Sequence, residues 1–206
     1  MKSIARCTSW WCNVDNDIKN LVNACNICQA NNVPSPPAKY VSSSPACPWE
    51  RLHVDSLQFK GKDFLIFADA GSKWIEAEAM SNTSTSHTLQ KLLYCFSKCS
   101  FPKWLHFDKR PQFENNIIKS KMSEKGGRGL KVSLSPPYHL EWNRQAERAV
   151  RILKDMKKMN PGIFVDELLF IYHSSPLSCE KSPAELLFSQ YIRTCLDGLL
   201  AKNATE

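Results

Sequence analysis

The chain has 206 residues, with 27 Lys and Arg against 20 Asp and Glu, and 43% of its residues are hydrophobic. This composition is typical of a globular protein and excludes the disordered and fibrous classes. A net charge of +7 is compatible with a polyanionic partner without proving one. No apolar run approaches the roughly 18 residues of a membrane helix, so no membrane partner is expected.

The cysteines and the N-terminal residues indicate in which cellular compartment the protein is expected. The nine cysteines are an odd number and show no spacing typical of a small disulfide scaffold. Residues 1–13 lack the apolar core of a secretory signal. We therefore expect reduced thiols in a nuclear or cytoplasmic protein.

Proline and serine clusters divide the chain. Pro34-Ser35-Pro36-Pro37 and Ser42-Ser43-Ser44-Pro45 cannot hold a helix, so they form part of a linker. We predict a head at residues 1–30, a linker at 31–47 and a body at 48–200.

The spacing of apolar residues predicts the elements. In the head, one helix is expected at residues 15–28, capped by Asp15 or Asp17. In the body, strands are predicted at 51–57, 64–69, 74–79, 103–108 and 130–134, and helices at 87–96, 143–159, 165–172 and 183–188. The turn at 70–73 predicts a β-hairpin, and Ser182-Pro183-Ala184-Glu185 is a capping box. This order predicts an α/β fold with a mixed sheet flanked by helices.

Three acids stand out by their positions. Asp55 lies in the first strand of the body, Asp108 closes a later strand, and Glu147 begins the long helix. Such acids can converge on one sheet edge, where their mutual repulsion requires cations. Two Mg²⁺ ions about 4 Å apart can activate a nucleophile and stabilise the leaving oxygen in phosphoryl transfer. On position alone, solvated turn and helix acids are the simpler interpretation.

The sequence around these acids resembles a known family. The matching stretches are Trp10-Trp11 with residues 15–18, then 25–29, 48–55, 69–74, Asp108 with 111–113, 135–139, 143–148 and 182–188. In this order they resemble the integrase of gypsy-type long-terminal-repeat retrotransposons, which is related to retroviral integrases. The resemblance runs nearly from end to end.

The resemblance implies a ribonuclease H-like core with a catalytic Asp, Asp, Glu triad. Asp55, Asp108 and Glu147 would then hold Mg²⁺ or Mn²⁺, two ions in all. The implied reaction is DNA integration, in which the 3′ end of element DNA is nicked and then transferred to target DNA. Water is the nucleophile of the first step and the 3′ hydroxyl that of the second. The implied partners are DNA and further copies of the chain, in a dimer or a larger homo-oligomer.

The resemblance also suggests which residues contact DNA. They are Gln112, Tyr138, His139, Asn143, Arg144, Arg151 and Lys154. Arg151 and Lys154 follow Glu147 by four and seven residues and share its helix face, where they would contact phosphates. A solvated helix face is the alternative. His53 and His106 are expected to be structural and to point to the opposite sheet face from the acids.

Cys25 and Cys28 have the spacing of half a tetrahedral zinc site. The family completes this site with two upstream histidines, and the resemblance places them before Met1, which indicates a truncated head. Cys7 and Cys12 could substitute in principle. The alternative is a zinc-binding remnant, in which the reduced pair packs a helix without Zn²⁺.

Without a metal, a head of this length has too small a core to fold alone. Trp10 and Trp11 are then expected to pack on the body or to stay mobile.

Several positions depart from the family pattern. Lys109 and Arg110 stand where Asn-Gly is usual, and Leu140 and Arg144 replace Pro and Gly. The chain also ends before any C-terminal DNA-binding module of the family. All three acids remain, so we expect an integrase-like DNA-binding protein derived from a retrotransposon, with its status as an enzyme open. It is either a metal-dependent polynucleotidyl transferase or a non-catalytic DNA-binding or protein-interaction module that retains the fold.

Overall fold

The computed structural model describes residues 2–31, 46–108, 113, 116–125, 129–134, 144–195 and 197, with Ser3, Cys7, Thr8 and Asn116 described in the backbone only. The helices in this part of the chain are α1 (Lys2–Thr8), α2 (Val14–Ala24), α3 (Asn26–Ala30), α4 (Thr85–Cys99), α5 (Asn116–Lys125), α6 (Arg144–Met159), α7 (Val165–Ser174) and α8 (Pro183–Phe188). The strands are β1 (Arg51–Phe59), β2 (Lys62–Asp69), β3 (Ile75–Met80), β4 (Trp104–Phe107) and β5 (Lys131–Leu134).

The strands form one mixed sheet in the order β3-β2-β1-β4-β5. β1, β2 and β3 are antiparallel neighbours, whereas β4 runs parallel to both β1 and β5. A two-residue turn joins β1 to β2, with Lys60 at φ 49° and Gly61 at φ 74°. Positive φ at both positions matches the right-handed twist of a hairpin.

The sheet buries both of its faces. One face carries Leu52, Val54, Leu65, Phe67 and Phe107, which pack in one cluster with Leu92 and Phe96 of α4. The other carries Leu57, Ile66, Ala68 and Ile75, which pack with Ala149 and Leu153 of α6 and Leu169 of α7. We call these the α4 face and the α6 face. Alternation along β1 and β2 supplies both sets, which explains why the strands are nearly continuously apolar.

The β2–β3 connection anchors α7. The Asp69 Oδ2 accepts hydrogen bonds from the backbone N–H and the hydroxyl of Ser72, at 2.7 and 2.6 Å. The Trp74 ring stacks on His173 with centroids 3.4 Å apart. Tyr172 donates its hydroxyl hydrogen to the Lys73 carbonyl at 2.9 Å. The sequence motif at residues 69–74 therefore fixes where α7 docks on the sheet.

The predicted body elements are confirmed with shifted ends, since β1, β2, α4 and α7 are longer than predicted and β4 and β5 are shorter, but the sequence pattern did not predict α5. Its side chains show little helical periodicity, since Ile118 and Met122 are buried while Ile117 is half exposed. Two apolar residues four apart suffice to dock a short helix without producing a recognisable stripe.

The head contains shorter helices than the single helix expected. Cys25 is extended, at φ −85° and ψ 111°, and separates α2 from α3. Asp15 and Asp17 lie inside the first turn of α2, so the prediction that one of them is the N-cap is wrong. Asn13 holds that position with φ 68° and makes no side-chain capping bond.

The head tryptophans do not find a buried site. Trp10 is 82% exposed and Trp11 is 42% exposed, with the Trp11 Nε1–H donating to Asp17 at 2.8 Å. Their indole rings therefore contribute little to a core. Across the described residues, no helix is both long and apolar enough to cross a bilayer.

Candidate active site

The parallel register of β1 and β4 brings the two aspartates together. His53 pairs with His106 and Val54 with Phe107, so the next residues are Asp55 and Asp108. The Asp108 N–H donates to the Val54 carbonyl at 3.4 Å, which keeps Asp108 in register beyond the end of β4. Neighbouring strands lie about 4.8 Å apart. The two carboxylates thus project from adjacent backbones onto the α6 face.

Asp55 is held from its own strand. The side chain is 6% exposed, and one carboxylate oxygen accepts the backbone N–H of Ser56 at 2.7 Å. A buried carboxylate is costly unless hydrogen bonds or cations compensate it. Its place on the face covered by α6 points this charge toward the start of that helix.

Glu147, in the first turn of α6, lies within electrostatic range of both aspartates. Ala146, Ala149 and Leu153 are buried beneath the helix, which leaves Glu147 on the exposed side of its first turn. Burial raises the pKa of Glu147, the charges of Asp55 and Asp108 raise it further, and Arg144 and Arg151 act in the opposite direction. All three predicted acids therefore lie within electrostatic range of one another.

The donor chemistry of this cluster fits a hard divalent cation. Carboxylate oxygens are the ligands that Mg²⁺ and Mn²⁺ prefer, and a cation would relieve the repulsion that, together with burial, raises the pKa of Glu147. Within the described ranges, however, no three His, Cys, Asp or Glu side chains lie close enough to hold one ion together. The three carboxylates interact electrostatically but do not form a complete set of ligands for one ion.

The expectation that His53 and His106 face away from the acids is wrong. Each lies two residues before an aspartate, and a spacing of two places side chains on the same face of a strand. Both are buried, and their rings meet edge to face with centroids 5.3 Å apart. Their burial fits the structural role expected of them.

His106 links the site to the next strand. Its Nδ1 shares a 2.8 Å hydrogen bond with the Ser133 hydroxyl of β5. Burial lowers the pKa of His106, with Asp108 opposing this effect and Arg51 adding to it. The spacing of two was the sequence signal that could have placed both histidines beside the acids.

The arginines of α6 lie near two different parts of the molecule. Arg151 acts on the pKa of Glu147, as the predicted shared helix face requires, and so does Arg144, the first residue of α6. Lys154 is exposed one turn farther on. Arg148 instead lies near the β2–β3 turn, where it adds to the lowering of the Lys73 pKa that burial causes. Three of the predicted DNA contacts therefore lie along one exposed strip of α6.

The other predicted DNA contacts lie outside the described residues. They are Gln112, Tyr138, His139 and Asn143. The substitutions at Lys109, Arg110 and Leu140 lie outside them as well.

Cys25 and Cys28 contact each other at the α2–α3 break. Hydrogen bonds from Cys28, backbone first and then side chain, lower the pKa of Cys25, and the same side-chain contact raises the pKa of Cys28. Cys12 does not join them in any group of three potential ligands among the described side chains. The side chain of Cys7 is outside the description, so zinc at this pair stays a prediction.

A scan of the sequence against models of protein families finds no match. Among curated proteins, the chain is similar to "Uncharacterized protein K02A2.6" of Caenorhabditis elegans, with 29% identity over 215 aligned residues. The alignment covers 97% of this chain but 16% of the length of that relative. The similarity thus concerns a small part of a much longer protein.

Two solved structures share the fold. One is from the simian T-cell lymphotropic virus intasome in complex with PP2A regulatory subunit B56 gamma, with a TM-score of 0.63, 18% identity, and coverage of 87% of this chain and 68% of that chain. The other is the catalytic core domain of BIV integrase, with a TM-score of 0.57, 18% identity, and coverage of 68% and 94%. The chain has the fold of an integrase catalytic core.

This match confirms that the chain is similar in fold to integrase catalytic cores, as the order of its sequence motifs indicates. It also confirms the predicted α/β fold, a ribonuclease H-like mixed sheet flanked by helices. The integrase-like fold explains why acids from β1, β4 and α6 approach one another, since parallel register and helix docking create that meeting point.

Proposed function

We propose that this chain is the catalytic core of a metal-dependent DNA integrase of the gypsy retrotransposon type. The observation that carries the proposal is the β1–β4 register that sets Asp55 beside Asp108, with Glu147 of α6 in their range: burial raises the pKa of Glu147, and the charges of Asp55 and Asp108 raise it further. Three carboxylates from separate elements are unfavourable neighbours unless a cation compensates them. Two Mg²⁺ or Mn²⁺ ions are the proposed cofactors, with Zn²⁺ at the cysteine pair left as a weaker proposal.

The proposed chemistry divides between the ions and the chain. Bound divalent ions would activate the attacking oxygen and stabilise the leaving oxygen in nicking and strand transfer. Asp55 and Asp108 supply rigid ligands from adjacent strands. Glu147, on an exposed helix turn, can close onto them as a third ligand. Arg144 and Arg151 would hold the DNA phosphate beside the acids.

A nicking assay on supercoiled plasmid tests this function. With Mn²⁺ or Mg²⁺, the native chain should convert supercoiled to open circular DNA. Glu147→Gln should reduce nicking to background because it removes a charged ligand, as should Asp108→Asn. Asp155→Asn, an exposed acid on the same helix, is the matched control and should nick normally. Equal nicking by Glu147→Gln and Asp155→Asn would rule out the catalytic proposal.

A second candidate is a DNA-binding module without chemistry. It is favoured by the absence of any closed group of three ligands within the described part of the chain, together with the exposed basic strip of α6. This function requires salt-sensitive binding to duplex DNA that Arg151→Gln weakens and Glu147→Gln leaves intact. Such binding with no nicking by the native chain would favour the module over the enzyme.

The assembly and the compartment belong to the same proposal. We propose that the chain acts on DNA as a homo-oligomer, in the nucleus or the cytoplasm. Sedimentation over a range of concentrations tests the first point, and an unchanging monomer would contradict it. Localisation of a tagged chain tests the second.

A further inference from the structure

An apolar groove opens on the α6 face beyond the acids. Its volume is about 380 Å³. Leu57, Phe64 and Leu153 form part of its floor, and Ala77 and Ala79 of β3 form one wall. Leu57 follows Asp55 by two residues along β1, so the groove begins about 7 Å from that acid along the strand. It is a separate surface from the cluster of carboxylates.

The mouth of the groove exposes apolar surface to solvent. Phe164, which precedes α7, is 79% exposed and lines the entrance. Ala79 is also exposed on the opposite wall. A large aromatic side chain that stays in water beside an open apolar cavity forgoes the free energy that burial of its surface would provide. A bulky apolar side chain entering between them would bury both.

The lining of the groove carries more positive than negative charge, since Lys60, Lys62 and Lys157 line it together with one acid, Asp166. Lys60, in the β1–β2 turn, and Lys62, the first residue of β2, line the groove and are exposed. Within the part of the chain that the structure describes, neither ammonium group makes an ion pair. Lys157 differs, since its ammonium group donates to the carbonyls of Pro161 and Ile163 and so holds the α6–α7 connection as a wall.

We propose that this groove binds an acidic peptide segment of a partner protein, with a bulky apolar residue inserted as its anchor. The apolar floor accepts the anchor, and Lys60 and Lys62 receive the flanking carboxylates. A second copy of the chain fits less well, because its net charge of +7 meets a rim of the same sign. Duplex DNA complements the rim but has nothing to fill the apolar floor.

Fluorescence anisotropy of a labelled peptide tests the proposal with the full chain. The probe is Asp-Glu-Asp-Leu-Phe-Asp-Glu-Asp carrying fluorescein. A matched peptide replaces Leu-Phe with Ser-Ser, and another replaces each acid with its amide. We expect saturable binding of the first peptide, and at least about tenfold weaker binding of both others, since each loses one of the two contributions.

Variants locate the site. Ala79→Trp, which fills the groove, and Phe164→Ala, which removes an exposed wall, should each weaken binding several-fold. Lys60→Glu with Lys62→Glu should weaken it about tenfold or more. Lys121→Glu with Lys125→Glu, on the exposed side of α5, changes the net charge equally and should leave binding intact. Unchanged thermal melting of Phe164→Ala shows that the fold is retained.

Three results overturn the proposal. The first is no saturable binding of the probe. The second is peptide binding that the two double lysine substitutions weaken equally and that Ala79→Trp and Phe164→Ala leave unchanged. Such binding would reflect diffuse electrostatic attraction and no specific groove. The third is binding of a 20-base-pair duplex that depends on Lys60 and Lys62 while the peptide does not bind, since the surface then belongs to nucleic acid. Each is distinct from failure of nicking, which concerns the acids alone.

Discussion

His173 shows how one buried side chain couples stability to pH. It is 6% exposed, stacks on Trp74, and donates its Nε2–H to the Ile75 carbonyl at 2.8 Å. Burial lowers the pKa of His173 from 6.5 to about 4, although the hydrogen bond to Ile75 opposes this. The native fold therefore requires the neutral ring, whereas the unfolded chain accepts a proton near its ordinary pKa.

We predict that stability falls as pH drops from 6.5 to 4. The contribution of neutral His173 is complete above its unfolded pKa and is lost progressively toward its folded pKa of about 4. A pKa difference of that size corresponds to about 3 kcal/mol. Urea unfolding at a series of pH values measures it. His173→Gln should flatten the curve over this range, and an equally steep curve would assign the pH dependence to other groups.

Gly71 marks a second position where one residue controls packing. A Cβ built there would lie 2.6 Å from the backbone carbonyl oxygen of Cys47. Gly71→Ala should therefore destabilise the fold by about 2 kcal/mol, because backbone must shift. Gly162→Ala is the matched control, with no atom within 4 Å of its Cβ. Thermal unfolding compares them, and equal melting temperatures would contradict the close approach.

The helix ends show which local sequence rules hold at the scale of elements. Ser182 and Glu185 form the predicted capping box, since the Ser182 hydroxyl accepts the Glu185 N–H at 3.2 Å and the Glu185 carboxylate accepts the Ser182 N–H at 2.8 Å. These two bonds need only a four-residue pattern, so the sequence alone predicts them. The head helix needed a longer pattern, which the extended Cys25 interrupts.

Removing this capping box should measurably weaken the docking of α8. Ser182→Ala loses both the acceptor for the Glu185 N–H and the hydroxyl of a side chain that is 2% exposed. A cost of about 1 kcal/mol is expected. Ser97→Ala, which loses one exposed bond to the Tyr94 carbonyl in α4, should cost much less. Chemical denaturation distinguishes them, and equal losses would show that the box adds nothing.

At the scale of the whole molecule, the head and the body have unequal cores. The clusters on the two faces of the sheet draw their described members from Trp49 onward, whereas the head buries Val14 and Ile18. The predicted boundaries of the head, linker and body stay predictions. The distribution of buried residues nonetheless indicates that the body supplies most of the stability.

Deleting residues 2–45 tests this division. The remaining chain should unfold cooperatively with a melting temperature within about 3 °C of the full chain, which corresponds to less than about 1 kcal/mol. Circular dichroism and calorimetry measure both properties. A large drop, or loss of cooperativity, would mean that the head contributes to the core of the body.

The sequence by itself determined the elements of the body except α5, the capping box, and the order of motifs that resembles an integrase. These features depend on the local spacing of residues, which can be read from the sequence alone. Only the tertiary structure decided that Asp55 and Asp108 are neighbours in register and that Glu147 lies within electrostatic range of both. Strand register and helix docking arise from packing between residues far apart in the chain, so local sequence patterns do not determine them.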